Sequence, residues 1–145
     1  MSGPEALLIP AEVQAVFDRV PEVPLRRLLE MRALIFAAVE ATGAGPLQEC
    51  LKWGEPAYLP VRPRVGSTLR LGWKPERSGT CSIFVNCNTD LVDRFRTHFP
   101  EAFTYHGARE LRLSATGTFA EAAFQQVAAM ALTYHRDKRR DKRAR

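Results

Sequence analysis

The chain has 145 residues, of which 46% are hydrophobic and 26% are charged, a balance that fits one globular domain and excludes disordered and fibrous proteins. No stretch approaches the roughly 20 apolar residues of a membrane span, and the first residues lack a secretory signal, so we expect a cytoplasmic protein without membrane contact. The net charge of +5 lies in a basic C-terminal tail, residues 136–145, which holds seven basic and two acidic side chains. Nucleic acid could therefore bind only through this tail, and the simpler interpretation is that the tail is a solvated helix end that aids solubility.

The first part of the chain predicts a flexible leader followed by two helices. Residues 1–10 form the predicted leader, and residues 11–135 form the predicted single domain. Apolar residues recur at helical spacing over residues 13–20 and again over residues 25–42, after which Gly43 is the predicted C-terminal cap. The stripe of the second helix that should face the core comprises Leu25, Leu28, Leu29, Arg32, Phe36 and Val39.

The middle of the chain changes to the two-residue period of β-strands. Residues 47–53 alternate in this way until Gly54 breaks the run, and an extended segment is expected near Tyr58. Residues 67–73 and 80–87 predict two more strands. The polar connection between these two strands indicates a hairpin.

The last part of the chain predicts a short helix, one strand and a long helix. The short helix follows the capping residues 88–90 and stops at Pro100, and the strand covers residues 109–114. Thr118 and Glu121 have the spacing of a capping box that would open the final helix. The residues that this helix should bury are Phe124, Val127, Ala131 and Tyr134. The order is roughly ααβββαβα, an α+β fold in which an antiparallel β-sheet packs against helices.

The densest group of chemically distinctive residues lies in residues 49–60, where a strand ends. Lysine and glutamate would supply charge there, whereas tryptophan and tyrosine would supply flat apolar faces with a polar edge. Gly54, Pro56 and Pro60 fix an irregular backbone, and binding residues tend to gather on such segments. We therefore expect one wall of a surface pocket. The residues predicted to bind a ligand are Glu49, Lys52, Trp53, Glu55, Tyr58, Trp73 and Lys74.

Catalytic and metal chemistry have weaker support in the sequence. Glu49 and Glu55 could act as general acid and general base, but the simpler interpretation is that Lys52 pairs with a nearby acid at the sheet surface. Cys87 lies before a predicted helix N-terminus, where the pKa of a thiol can be lowered, yet no partner histidine is evident. The three histidines and three cysteines lack metal-ligand spacing. No catalytic residue, metal ligand or cofactor is therefore assigned.

Five segments of the chain resemble the YdhG-like family of domains of unknown function. They are LKWGEPAY (51–58), GWK (72–74), FVNCNTDLV (84–92), FRTHFP (95–100) and MALTYH (130–135). The resemblance extends over about residues 13–135 and implies a compact α+β fold with helices on an antiparallel sheet. Family members tend to have Gly-Asn-Arg where this chain has Gly-Ala-Arg, at residues 107–109, so the resemblance assigns no role to an amide at that turn.

Two hypotheses of function follow from these observations. The first is a non-enzymatic module that binds a small ligand or a partner protein through the predicted pocket. The alternative is a frataxin-like iron-binding chaperone, because some YdhG-like proteins are similar in shape to frataxin and carry that label. Frataxin-type iron binding relies on an acidic ridge, whereas here the acids Glu12, Asp18 and Glu22 are interleaved with arginines.

Overall fold

The computed structural model describes residues 8–144, and within them it contains five α-helices and one six-stranded sheet. The helices are α1 (Ala11–Phe17), α2 (Glu22–Thr42), α3 (Leu91–His98), α4 (Glu121–Leu132) and α5 (Tyr134–Ala144). The strands are β1 (Leu47–Lys52), β2 (Glu55–Pro60), β3 (Leu69–Gly72), β4 (Thr80–Phe84), β5 (Thr104–His106) and β6 (Glu110–Ser114). The predicted α+β class is confirmed, whereas most of the predicted leader lies outside the described residues. None of the helices in residues 8–144 has the length and apolar character needed to cross a membrane.

All six strands pair antiparallel, in the order β1-β2-β3-β4-β6-β5. β3 and β4 form the predicted hairpin, which is joined by the short 3-10 helix Pro75–Arg77. α3 and β5 come between β4 and its neighbour β6 in the chain. Because β3 and β4 lie at the centre, their side chains share one surface with those of β2 and β6 on each face of the sheet.

One face of the sheet is covered by helices and forms the core. The residues Tyr58, Leu69, Leu71, Ile83 and Leu111 lie on this face and are fully buried. α1 contacts β1 and β2, α2 contacts β4, and α4 packs along α2. Side chains alternate along a strand, so the residues between these apolar ones lie on the opposite face, called the open face below. The register places Lys52, Glu55, Arg70, Phe84 and Glu110 on the open face.

Strands β2 and β5 were not predicted as strands from the sequence. The segment expected to be extended near Tyr58 is strand β2, and β5 was not predicted because its three residues are too short for a periodic signal. Two prolines obscured β2 in the sequence. Pro56 and Pro60 are tolerated because β2 pairs with β3 only through Ala57 and Tyr58, so the prolines lie outside the doubly paired part of the strand.

Helix α2 begins earlier than the sequence predicts and ends as expected. It starts at Glu22 and includes Pro24, since N–H groups in the first helical turn have no partner within the helix. Gly43 is the predicted cap, with a φ of 67° and an N–H that donates to the carbonyl oxygen of Val39 at 3.1 Å. The prediction of this C-terminus is confirmed.

The buried stripe of α2 differs from the predicted one at one position. Leu28, Arg32 and Val39 are buried, but Leu29 is 38% exposed, so its assignment to the core is wrong. Met31, Ile35 and Ala38 of this helix are also fully buried. They recur every three or four residues with Leu28, whereas adjacent helical residues lie about 100° apart, which turns Leu29 away from the core.

The predicted long C-terminal helix is broken at Thr133 into α4 and α5. The N–H of Ser67 donates to the carbonyl of Ala131 at 2.8 Å, and the N–H of Arg136 donates to the carbonyl of Val65 at 2.9 Å. A loop therefore takes two hydrogen bonds that a continuous helix would make within itself. This long-range pairing leaves no periodic signal, so the sequence did not predict the break.

Gly66 allows the loop to come this close to the helix. A Cβ at this position would lie 2.0 Å from the carbonyl oxygen of Leu132, a distance that no side chain could adopt without a shift of the backbone. Up to Ala144, the predicted basic tail forms part of helix α5. The loop that contains Gly66 joins this helix to the domain.

The predicted capping box of Thr118 and Glu121 is not formed. α4 begins after Ala120, and no side chain among the described residues caps its first turn. The N–H of Glu121 donates instead to the carbonyl of Phe119 at 2.9 Å, so Thr118 lies too far ahead of the helix to act as its cap. The predicted core contacts are nevertheless confirmed. The buried residues of α4 and α5 include Phe124, Val127, Ala131 and Tyr134.

Candidate functional site

The turn between β1 and β2 holds an exposed tryptophan in a strained conformation. Trp53 and Gly54 are its two central residues, and both have positive φ angles, 56° and 77°. This pattern is typical of a type I′ turn, in which asparagine followed by glycine is preferred. The left-handed conformation costs a bulky residue about 1–2 kcal/mol, and packing does not repay it because Trp53 is 89% exposed. Strain of this kind is typical of functional surfaces.

Two adjoining cavities lie beside this turn on the open face. Their volumes are about 260 and 610 Å³. Trp53, Arg70 and Arg109 line both cavities, so the two form one continuous depression, called the open-face groove below. The other lining residues are Lys52, Thr68, Val85, Asn86 and Cys87 in the first cavity, and Glu55, Trp73, Lys74 and Phe84 in the second. The groove thus brings together Lys52, Trp53, Glu55, Trp73 and Lys74 of the predicted site.

Arg70 on β3 is the central side chain of the open-face groove. Its guanidinium forms an ion pair with Glu55 and lies over the ring of Phe84, 4.9 Å from the ring centroid. Gly72 leaves the space for this arrangement, because a Cβ there would lie 2.6 Å from Oε2 of Glu55 and 2.9 Å from Cε2 of Phe84. Neighbouring side chains therefore fix Arg70 in place and balance part of its charge.

Three more cations of the groove are available to a ligand. Lys52, Lys74 and Arg109 are exposed, and none of them forms an ion pair with another residue in the range 8–144. Glu55 is the one acidic residue among those that line the groove. Positive charge therefore dominates this part of the open face, although the chain outside the basic tail is formally neutral.

The two acids of the open face have opposite pKa shifts. Burial raises the pKa of Glu55, although the charge of Arg70 acts against it. Burial also acts to raise the pKa of Glu110, but hydrogen bonds from Arg112 and Ser82 outweigh this effect and lower the pKa. Glu110 therefore holds its negative charge more firmly than an ordinary glutamate, and Glu55 holds it less firmly.

Glu49 and Tyr58 lie on the core face, which corrects the expectation that they line the surface pocket. The carboxylate of Glu49 accepts hydrogen bonds from Nε and Nη2 of Arg32 at 2.7 and 2.8 Å and from the hydroxyl of Tyr58 at 2.7 Å. All three side chains are almost fully buried. Glu49 and Tyr58 are cross-strand partners, so both point to the same face of the sheet.

The structure also changes two interpretations of the charged residues in residues 49–55, a general acid–base pair and a surface ion pair of Lys52. Glu49 and Glu55 lie on opposite faces of the sheet, so the structure does not bring them together as a general acid and base. Lys52 makes no ion pair within residues 8–144, so it is not the surface partner of a nearby acid that its spacing suggested. Its ammonium group faces the open-face groove instead.

The two tryptophans of the groove differ in their environment. Trp73 is half-buried against the core, and its indole N–H donates to the carbonyl of Ser78 at 3.1 Å, which supports the connection between β3 and β4. Trp53 has most of its surface exposed. Trp53 is therefore the ring that a ligand could contact without disturbing the fold.

Several groove residues were not among the predicted ligand-binding residues. Arg70 had a usable signal, because it alternates with Leu69 and Leu71 and so had to lie on the opposite face from these leucines. The other unpredicted lining residues are Thr68, Phe84, Val85, Asn86, Cys87 and Arg109. They come from three separate segments, and only the strand order brings these segments to the turn at Trp53.

The cysteines and metal-binding residue types do not form a second centre in the part of the chain that the structure describes. Within residues 8–144, no three histidine, cysteine, aspartate or glutamate side chains come together as a possible metal site. Burial raises the pKa of Cys81 to about 11, whereas Cys87 is exposed at the groove.

Comparison with family models, with curated proteins and with solved structures finds no match for the chain.

Proposed function

We propose that the protein is a non-enzymatic binding module whose open-face groove takes a small anionic ligand with a flat ring. The observation that carries this proposal is the presence, in one groove, of three exposed cations and an exposed indole. The cations are Lys52, Lys74 and Arg109, and the indole is that of Trp53.

The charge of the groove supports an anionic ligand. Lysine offers a compact charge, and arginine offers a planar set of donors that matches a carboxylate or phosphate. Lys52, Lys74 and Arg109 are exposed and make no ion pair among the described residues, so an anion would not have to displace a bonded partner. The charge of Lys74 nevertheless acts on the carboxylate of Glu55. Arg70 would contribute less, since Glu55 already shares its charge.

The geometry of the turn supports a flat ring in that ligand. The indole of Trp53 offers a large apolar face, and a ring stacked on it would bury surface that is now in water. The left-handed backbone at Trp53 and Gly54 fixes the position of the Cβ atom that carries the indole of Trp53. This constraint lowers the entropy lost when a ligand binds. Stacking on Trp53 and contact with Lys52 are compatible because both line the same cavity.

The size of the groove favours a small molecule over a second protein. The cavity of 610 Å³ falls in the range of about 300–1,000 Å³ usual for small-ligand sites, and the adjoining cavity of 260 Å³ lies just below this range. Specific protein interfaces instead bury about 800 Å² on each partner, over a flatter surface. A protein partner at the same face is therefore the competing outcome of the experiment below.

Native mass spectrometry tests the proposal directly. The protein would be purified at low salt from the cells that express it naturally, together with a Lys52→Ala/Arg109→Ala variant. A matched control, Arg19→Ala/Arg26→Ala, removes the same charge from exposed positions around α1 and α2. We expect an added mass of a few hundred daltons on the wild type and on the control, and none on the groove variant.

The outcomes separate the competing functions. An added mass that persists in the groove variant, or its absence from all three proteins, would refute the groove as a small-ligand site. An added mass equal to that of a protein would replace the small ligand by a partner protein. An added mass of one iron atom would favour the iron chaperone.

The other expectations from the sequence remain proposals beside this one. The YdhG-like resemblance agrees with the α+β architecture, and a cytoplasmic location would give the groove access to anionic metabolites. Iron binding is supported by the resemblance alone, since no cluster of metal-binding residue types is present among the described residues. An iron titration that gives no saturable binding would end that alternative.

A further inference from the structure

Helix α5 carries basic residues without acids on one side, whereas its other side mixes acids with arginines. His135, Lys138, Arg139 and Lys142 follow the helical spacing of three or four residues and share one side with Arg64 of the preceding loop. The five together are called the basic face below. The two acids of this helix, Asp137 and Asp141, are four residues apart and lie on the other side.

The basic face is a shaped surface rather than a single row of side chains. Its five residues line a cavity of about 340 Å³, and they are all exposed. No acidic residue of the described range 8–144 lines this cavity. Asp137 is engaged elsewhere, because it accepts hydrogen bonds from Thr133 and Arg136. The local field of the basic face is therefore positive, although the charge of Asp90 acts on Lys138.

Hydrogen bonds to the domain hold these charges in place. Arg136 donates through Nη1 to the carbonyl of Thr42 at 2.8 Å, which ties α5 to the end of α2. Arg139 donates through Nη1 to the carbonyl of Arg64 at 2.6 Å, which joins the loop to the helix inside the basic face. A positioned array of charges loses less entropy on binding than a disordered tail would.

We propose that the basic face of α5 binds the phosphate backbone of double-stranded nucleic acid. The helix rises about 10 Å from His135 to Lys142, and duplex nucleic acid carries one negative charge per about 1.7 Å of its axis, so several phosphates fall within reach. This site is separate from the open-face groove and does not depend on its proposed ligand.

The residue types of the basic face favour a duplex over the other polyanions. Single-stranded nucleic acid is usually held by several bases stacked on aromatic rings, whereas the basic face offers one small exposed ring, that of His135. The ring of Tyr134, which Lys138 contacts, is buried. An anionic membrane is usually bound by a helix with an apolar face of leucine, phenylalanine or tryptophan. Residues 135–144 of α5 contain no apolar residue larger than alanine.

The proposed binding is independent of base sequence and sensitive to salt. If Arg64, Lys138, Arg139 and Lys142 each neutralise one phosphate, log K should fall against log salt with a slope of about −3.6. The same slope corresponds to a loss of affinity of about 150-fold between 50 and 200 mM salt. Two duplexes of equal length and different sequence should bind with the same affinity.

Fluorescence anisotropy with a 20-base-pair DNA duplex and the full chain provides the test. A Lys138→Glu/Lys142→Glu variant should weaken binding more than about tenfold and reduce the slope to about −1.8. The matched control, Arg19→Glu/Arg26→Glu, changes the net charge by the same amount at exposed positions away from α5 and should keep the wild-type slope. A milder Lys138→Gln/Lys142→Gln variant covers the case in which charge reversal unfolds α5, which circular dichroism would detect.

Three results would overturn the proposal. Equal losses in the α5 variant and in the control would mean that net charge alone governs binding. Wild-type binding in both α5 variants would place the duplex elsewhere. Binding to vesicles of mixed neutral and anionic phospholipid, without binding to the duplex, would assign the basic face to a membrane surface.

Discussion

The two faces of the sheet each carry an arginine–glutamate pair, but in different surroundings. On the core face, the side chains of Arg32 and Glu49 are 5% and 6% exposed, and Glu49 also accepts a hydrogen bond from the hydroxyl of Tyr58. On the open face, the side chains of Arg70 and Glu55 are 18% and 21% exposed and border the groove. The same pair of residue types therefore serves the fold on one face and shapes a candidate binding surface on the other.

The pKa values of the core group fit a structural role. Burial acts to lower the pKa of Arg32, but the hydrogen bonds and charge of Glu49 outweigh burial and raise it. Burial and the neighbouring charge of Glu49 raise the pKa of Tyr58, so its hydroxyl remains a neutral donor. Arg32 and Tyr58 therefore do not change protonation state near neutral pH.

The largest expected effect is on the core face. Glu49→Gln keeps the shape of the side chain but removes the buried carboxylate that accepts two hydrogen bonds from Arg32, which should lower the free energy of unfolding by about 3–5 kcal/mol. Urea denaturation would measure this loss. A loss below about 1 kcal/mol would mean that water reaches Arg32, and it would remove the contrast between the two faces.

The acid with the lowered pKa gives a pH-dependent effect on the open face. Glu110 is stabilised as a carboxylate by Arg112 and Ser82, so Glu110→Gln should lower stability by about 1–2 kcal/mol at pH 7. Its contribution is fully present above the ordinary pKa of 4.5 and is lost as pH falls through the lowered pKa of the folded state. The deficit of the variant should therefore shrink at acidic pH, and unfolding of wild type and variant at pH 7 and 3 would check this. A deficit that stays constant with pH would show that the charge of Glu110 is irrelevant to stability.

A gain in stability is expected at the strained turn. Trp53→Asn places a preferred residue at the first position of the type I′ turn and should raise the free energy of unfolding by about 1 kcal/mol. The same variant should lose the ligand detected by native mass spectrometry, since the indole is absent. A destabilised variant would show that Trp53 contributes to the fold, and it would weaken the assignment of this residue to binding.

The smallest effect is expected for the pair that borders the groove. Glu55→Gln is the matched counterpart of Glu49→Gln and should change stability by less than about 1 kcal/mol at pH 7, because the pair is partly hydrated. Since the pKa of Glu55 is raised in the folded state, the wild type loses stability as pH rises from the ordinary pKa to the raised one. The variant should lack this fall, and a parallel pH series of thermal unfolding would detect its absence.

The alternation of residues predicted the strands, but it did not separate the two faces correctly. The period placed Glu49 with Leu47 and Leu51, on the core side, yet its charge suggested the surface. Burial of Glu49 depends on Arg32, which is 17 residues away on α2, and no local pattern reports such a pair. Glu49 is therefore a misplaced side chain whose position depends on a distant partner.

The groove was predictable mainly for those residues that are close together in the chain. Lys52, Trp53 and Glu55 are near one another in the chain, so the sequence could place them together. Arg109 reaches the groove only because β6 pairs with β4 across α3 and β5, and its position depends on strand order. Trp53 was predicted as a flat surface for a ligand, but its left-handed backbone follows from the two-residue turn and had no separate signal.

The junction at Gly66 predicts that helix α5 opens separately from the rest of the domain. Ser67, Val65 and Arg136 form the backbone bonds between the loop and the C-terminal helices, while the side chains that follow Tyr134 in α5 are exposed or half-buried. Local unfolding of α5 should therefore precede global unfolding, and its amide hydrogens should exchange with solvent faster than those of β3 and β4. A duplex bound to α5 should slow exchange in that helix alone, and a ligand in the groove should slow it at the β1–β2 turn. Hydrogen exchange would thus read the occupancy of both proposed sites in one sample.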